Sequence, residues 1–273
     1  MASVTLVRRV ASVLERASVR TDTALPWANA VEMAAAAGFE LDPWQADVLT
    51  SSAPRLLLCC GRQVGKSQTV AMLVAWTAIH VPGALCLAVS PSLRQSQELF
   101  RKVTDVYSRL DWRVPTEAES ALRLELRNGS RVISLPGSEA TIRGYSAAKL
   151  IAVDEAARIP DDLIAATRPM LATSHHGRLL ALSSPWGKRG WFWRTWTEGE
   201  GWERVRVLAR ACPRISGEFL EAERRALSPL EFASEYECEF LDLAGAVFRS
   251  EDIAASFDPT VTPLFGGRTW LNS

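Results

Sequence analysis

The chain lacks an excess of either charge. Lysine plus arginine number 31, and aspartate plus glutamate also number 31. A neutral total excludes a histone-like coat of positive charge, so any nucleic-acid contact must come from a local patch. No apolar run reaches the roughly 18 residues that cross a bilayer. Arg8 and Arg9 are followed by no continuous apolar stretch, so no signal peptide is read there. The five cysteines, Cys59, Cys60, Cys86, Cys212 and Cys238, show no metal-ligand spacing. They are expected to be reduced core residues of a cytosolic protein. No internal repeat and no low-complexity tract is found. What remains is a 273-residue chain, 48% hydrophobic and 23% charged. That is enough for one large core, or for one core plus a small appended subdomain, and too apolar for global disorder.

Two kinds of pattern fill the chain. Over residues 1–40, Val7, Val10, Val13 and Leu14 share one helical face, and Val31 to Ala37 is alanine-rich. A helical N-terminal extension is expected. From Arg55 onward, short apolar runs alternate with helical segments. Arg55–Cys60, Ala84–Ser90, Lys149–Asp154 and Arg178–Ser183 read as buried strands. Helices are expected over Ser67–Ile79 and Leu93–Leu110. The alternation predicts an α/β fold, a mostly parallel sheet flanked by helices. Asn128-Gly129 between alternating runs predicts a hairpin within Ala121–Leu135. After Trp202, a strand at Arg204–Leu208 and helices at Gly217–Leu227 and Pro229–Leu241 are expected to form a small lid subdomain.

The segment LLCCGRQVGKS, Leu57–Ser67, has the context of a phosphate loop. A strand runs into Gly61, Arg62, Gln63 and Val64 make the turn, and Gly65-Lys66-Ser67 opens a helix. Glycine lets backbone N–H groups approach phosphate, and the helix N-terminus adds positive potential. Lys66 would meet the β- and γ-phosphate oxygens, and the Ser67 hydroxyl would ligate Mg²⁺. Cys60 stands where the usual pattern has its first glycine. LIAVDE, Leu150–Glu155, is an apolar strand ending in two carboxylates. Asp154 would hold Mg²⁺ through water, and Glu155 would orient and deprotonate the attacking water. The alternative is that the pair caps a helix. Upstream, Gln45 in LDPWQ has an amide suited to adenine, with Trp44 against the base or the core.

Phosphate-backbone contacts need exposed cations. Arg94, Arg101 and Lys102 fall on one expected helix, and Lys188 and Arg189 follow a Ser-Ser-Pro segment between Trp186 and Trp191. Each set is a DNA-contact candidate, with an ordinary solvated face as the alternative. The cluster of Trp191, Phe192, Trp193 and Trp196 is expected in the core or at a subunit contact.

Taken in order, these segments resemble the ATPase domain of the large terminase subunit of tailed bacteriophages, from about Leu41 to Phe248. PWQ is similar to the family's adenine motif and GRQVGKS to its phosphate loop. VDEA, Val153–Ala156, is similar to its acidic strand end. LSSP, Leu182–Pro185, resembles its coupling motif, with Ser183 and Ser184 sensing the γ-phosphate. Arg143, in Thr141–Gly144, resembles an arginine finger given to a neighbouring subunit; the plainer alternative pairs it with Glu139. EFASEYECEF, Glu231–Phe240, resembles the lid.

The resemblance implies a RecA-like (ASCE) P-loop NTPase with ATP and Mg²⁺ as cofactors. It also implies translocation of double-stranded DNA into a procapsid in the infected bacterial cytoplasm. The implied partners are a portal protein, a small terminase subunit and further copies in a ring, which the resemblance implies to be pentameric. The implied division is an extension at 1–40, an ATPase core at 41–200, a lid at 201–248 and a tail or linker at 249–273. Only 25 residues follow Phe248, so no nuclease domain or nuclease activity is expected. Two other readings share the motifs. One is half of a superfamily-two helicase. The other is a nucleotide-dependent DNA-binding module without turnover, disfavoured by the presence of both Lys66 and Glu155.

Overall fold

The computed structural model describes residues 25–137 and 144–242. Its strands are apolar runs without alternation, because both faces of the sheet are covered. In β1 (Arg55–Cys60) every residue after the first is buried, and β2 (Leu85–Ser90) is buried throughout. β6 (Leu150–Asp154) and β7 (Arg178–Ser183) follow the same rule. Successive side chains feed two separate cores. Leu56, Leu58 and Cys60 enter one; Leu57 and Cys59 enter the other.

The sheet has eight strands. β3 is Thr116–Ser120, β4 is Arg123–Leu126, β5 is Arg131–Pro136 and β8 is Glu203–Val207. The order is β3-β4-β5-β2-β6-β7-β1-β8. Strands β5, β2, β6, β7, β1 and β8 are mutually parallel. The hairpin expected around Asn128-Gly129 is β4–β5, antiparallel, with Gly129 at φ 83°. A left-handed φ of that kind favours glycine. Strand β3, not expected from the sequence, extends this edge; four of its five residues are exposed, which hides its pattern.

Helix α1 (Ala30–Ala36) is capped by Asn29, whose side chain accepts from the Glu32 N–H at 3.0 Å. It buries Ala30, Met33 and Ala34 against the core that holds β1 and the helix after it. Residues 30–36 are therefore core, which corrects the expected extension over this stretch. Residues 1–24 lie outside the described residues. α2 (Pro43–Thr50) leads into β1. α3 (Lys66–His80) follows β1 and buries nine residues, and α4 (Leu93–Ser108) follows β2. The opposite face carries α5 (Asp161–Thr167) and α6 (Gly190–Glu198), whose Phe192 is 1% exposed. Trp191 packs edge-on to Trp202, and Trp193 and Trp196 surround Phe240. These tryptophans pack α6 against Trp202 and Phe240.

The segment expected to open a lid instead gives β8 to the main sheet, paired along β1. The boundary at 201 therefore moves beyond Val207. α7 (Gly217–Ala226) and α8 (Pro229–Glu237) follow. α8 ends before the expected Leu241, because Cys238 takes a left-handed conformation, φ 58°. All five cysteines are free and buried. Among the described residues, no helix is long and apolar enough to cross a membrane.

Candidate active site

The order β6-β7-β1 brings three strand ends together at the carboxyl edge of the sheet, where open α/β folds bind ligands. β1 ends at Cys60, which is fully buried in the strand. A side chain at Gly61 would meet the Ala209 backbone N at 3.0 Å and the Tyr236 carbonyl at 3.1 Å. The glycine here admits the chain beyond β8 and the end of α8 against the loop. The Gly61 N–H bonds the Val207 carbonyl, and the Arg62 N–H bonds the Glu235 carbonyl. The Arg62 side chain is largely exposed and pairs with Glu235 at 3.3 Å. Gln63 turns at φ 59°, Val64 is buried, and Gly65 caps α3 at φ 96°. This is the strand, turn and helix N-terminus that a phosphate loop requires.

Lys66 Nζ lies 3.2 Å from Glu155 Oε1, with the two side chains 12% and 21% exposed. Burial opposes the lysine's charge, but Glu155 and Asp154 outweigh it, and its pKa lies above the ordinary value. Ser67 Oγ donates to Asp154 Oδ2 at 3.0 Å. Burial first, then the Glu155 charge, raise the Asp154 pKa, against Lys66 and Ser67. A hydroxyl touching a carboxylate beside a second carboxylate is a set of hard oxygen donors, which suits Mg²⁺. Ser183, at the end of β7, is buried and places Oγ 3.5 Å from Glu155 Oε2. Ser184 is also buried.

Glu155 sits at φ 51°, ψ 42°, a left-handed conformation that bulky residues seldom adopt. Such outliers concentrate at functional sites. Its side chain makes no cap bond to the following 3₁₀ turn, Ala156–Arg158. Glu155 therefore does not cap that turn, while Asp154 Oδ1 accepts from the Glu155 N–H at 3.0 Å.

Gln45 is placed differently from expectation. It is 3% exposed, with both ends of its amide engaged. Its Oε1 accepts from the Asp42 N–H at 3.0 Å, and its Nε2 donates to Thr69 Oγ1 at 2.9 Å. In this structure the amide braces α2 against α3. Trp44 packs against the core and donates to Asp42 at 3.2 Å. Sequence reasoning missed Arg214. Its guanidinium forks onto Asp42 at 2.8 Å twice and donates to the Val64 carbonyl at 3.1 Å. Gln45 and Arg214 together close the back of the loop, within 3.1 and 3.2 Å of where a Gly65 side chain would begin.

The DNA-contact candidates separate. Arg94 and Arg101 are exposed on α4, with Arg101 paired to Glu98 at 2.9 Å, and Lys102 is half-buried. Arg189 is exposed. Lys188, the other candidate in this loop, is paired with Asp242 at 3.2 Å. Arg143, Thr141, Ile142 and Glu139 lie outside the described residues, as do residues 243–273.

The fold and this site define a P-loop NTPase domain. A family model described as terminase large subunit, T4likevirus-type, N-terminal, matches residues 57–255. The large terminase subunit of Thermus phage G20c is 26% identical over 253 residues, covering 79% of this chain and 52% of the relative. That of Thermus virus P23-45 matches to the same extent. The large terminase ATPase domain of Thermus phage P74-26 aligns with TM-score 0.68 at 22% identity, covering 77% of this chain and 98% of that one. The HK97 bacteriophage large terminase aligns with TM-score 0.62 at 16% identity, covering 74% of this chain and 51% of that one. The chain belongs to the terminase large subunit family, in its T4likevirus-type N-terminal part. It spans about half the length of the curated relatives it matches.

Proposed function

We propose that this chain is the ATP-hydrolysing motor part of a large terminase, driving double-stranded DNA into a viral procapsid in the bacterial cytoplasm. The carrying observation is the Lys66–Glu155 pair at the phosphate-loop mouth, with Ser183 beside the same carboxylate. A related large terminase from a thermophilic bacteriophage has been solved in complex with ATP-gamma-S, which supports ATP as the nucleotide.

In this reading, backbone N–H groups of residues 61–67 and the α3 N-terminus cradle the phosphates. Lys66 neutralises β- and γ-phosphate charge. Ser67 and Asp154 would hold Mg²⁺, which supplies charge neutralisation when bound. Glu155 Oε1 or Oε2 orients the attacking water and takes its proton. Ser183 reports the γ-phosphate state to β7 and the loop after it. Arg94, Arg101 and Arg189 supply exposed cations for the DNA backbone, with Lys102 beside them, and no base-reading code is needed. Portal protein, small terminase subunit and further copies in a ring complete the machine.

Arg143 is the proposed trans-acting finger. Such an arginine contributes about 1,000- to 100,000-fold, because it meets charge that grows in the transition state. The test is ATP hydrolysis measured against protein concentration, with and without duplex DNA. Specific activity is expected to rise with both. Activity that is present but independent of concentration removes the ring, and absence of hydrolysis removes the motor. Mixing Arg143→Ala with Glu155→Gln is expected to restore part of the activity, since each supplies what the other lacks. Co-assembly without restored activity sinks the finger.

A further inference from the structure

Glu155 has two carboxylate oxygens, and the proposed function accounts for only one partner cation. Oε1 faces Lys66. Oε2 lies 3.5 Å from Ser183 Oγ and 3.8 Å from Arg158 Nε. Arg158 reaches it by local geometry. The Ala156–Arg158 segment is a 3₁₀ turn, and the Arg158 N–H bonds the Glu155 carbonyl at 2.8 Å. In a 3₁₀ turn residues i and i+3 eclipse, so Arg158 stands over Glu155.

The other side of Arg158 is occupied by an aromatic ring. Its guanidinium carbon sits 3.8 Å from the centre of the Trp186 ring. Trp186 is 41% exposed, among the few large apolar side chains on the surface. It follows Ser183-Ser184-Pro185 directly. Arg189 approaches the same ring at 5.6 Å. The loop is anchored again where the Lys188 N–H bonds the Leu241 carbonyl at 3.0 Å. Loop 186–189 is therefore tied at two places. One tie runs through Arg158 to the glutamate, and one runs to the chain beyond α8.

We propose that Arg158 is a positioning residue for the Glu155 carboxylate, and that its stack on Trp186 ties the carboxylate to loop 186–189. The inference rests on the ATP-hydrolysis reading for its kinetic consequence. Lys66 and Arg158 each face one oxygen, at 3.2 and 3.8 Å, so Arg158 still biases the carboxylate's orientation when Lys66 turns to a phosphate. An arginine suits the post because its planar face stacks while its edge still meets a carboxylate; lysine offers the charge without the face. Loop 186–189 carries Arg189, a proposed DNA-backbone contact. A displacement of that loop shifts Arg158 and with it the residue that holds the attacking water. The plainer competitor is a surface arginine resting on a surface tryptophan with no effect on turnover.

The experiment uses the full chain and the variants Arg158→Ala, Arg158→Lys, Trp186→Ala and their combinations. A misplaced reacting group costs on the order of 10- to 100-fold, so kcat of Arg158→Ala is expected to fall by about that factor. KM for ATP and affinity for a non-hydrolysable analogue stay unchanged. Trp186→Ala falls in the same direction, and adding it to Arg158→Ala costs nothing more, because both break one link. Arg158→Lys recovers part of the rate, and it replaces Arg158→Ala if that variant fails to bind the analogue. Full kcat in Arg158→Ala, or losses that multiply in the double variant, overturn the proposal. A second arm needs no turnover. The emission difference between wild type and Trp186→Phe isolates Trp186, and acrylamide is expected to quench it more readily in Arg158→Ala. Unchanged quenching overturns the stack. Wild-type chain that binds nucleotide without hydrolysing it sinks the ATPase reading instead, and the quenching arm still decides the stack.

Discussion

The two ends of the phosphate loop are built on opposite principles. At the mouth, Lys66, Glu155 and Ser183 meet at 3.2 and 3.5 Å, and the lysine and glutamate stay partly exposed. At the back, Asp42, Gln45, Thr69 and Arg214 saturate one another, and Asp42 and Gln45 are 5% and 3% exposed. Groups at the mouth can exchange partners for a phosphate at modest cost. Asp42 and Gln45 at the back cannot leave their bonds without stranding a buried donor or acceptor, although the Arg214 side chain that closes on Asp42 is half exposed. Polarity alone therefore does not mark a binding residue; an accessible, exchangeable partner does.

The sharpest break between the two ends is expected at Glu155. Glu155→Gln keeps the shape and removes the base. Losing a positioned general base costs about 100- to 10,000-fold, so turnover should nearly vanish with analogue binding retained. Normal turnover would mean another residue activates the water. Next comes Lys66→Ala. Bonds to charged groups contribute about 1.5–3 kcal/mol, so Mg·ATP affinity is expected to drop by about 10- to 100-fold. A fluorescent ATP analogue titrated into both forms reads this, and equal affinity would end the phosphate-loop assignment.

Gln45→Ala addresses the back of the loop. It strands buried partners, at a cost of about 1–3 kcal/mol. Each kcal/mol lowers Tm by roughly 2–4 °C in a chain of this size. ATP and GTP affinities are expected to weaken together, as for a brace. Selective loss of ATP would make Gln45 a base reader after all. The smallest effect is expected at Arg101→Ala. Its pair with Glu98 is exposed, and such pairs contribute about 0–1 kcal/mol, so thermal unfolding should barely move. Weakened DNA binding with a shallower salt dependence in that variant would support the α4 face as a contact; unchanged binding would leave it an ordinary solvated face.

The mouth was legible in the sequence because each part is local. RLLLCC, GKS, LIAVDE and LSSP each state an element and its end in a few adjacent residues. Sheet order then brings them together. The back was not legible, because Asp42 and Arg214 are 172 positions apart and no pattern in either segment names the other. The bracing contacts of Gln45 were hidden for a related reason. An amide suits adenine and suits a capping contact equally, and only burial separates the two. Arg158 carries no motif; its place beside the carboxylate appears once the left-handed Glu155 and the 3₁₀ turn fold it back. β8 was read correctly as a strand but attached to the wrong body, since a parallel edge strand leaves no local mark of its partner.

The most direct test is a crystal structure of the full chain with a non-hydrolysable ATP analogue and Mg²⁺. The account predicts the γ-phosphate at Lys66 Nζ, the metal at Ser67 and Asp154, and Glu155 facing the γ-phosphate across a water. It also predicts that Gln45 keeps its bonds to Asp42 and Thr69. Phosphates bound away from Lys66, or a Gln45 amide that has left Thr69 to pair with the base, would contradict it.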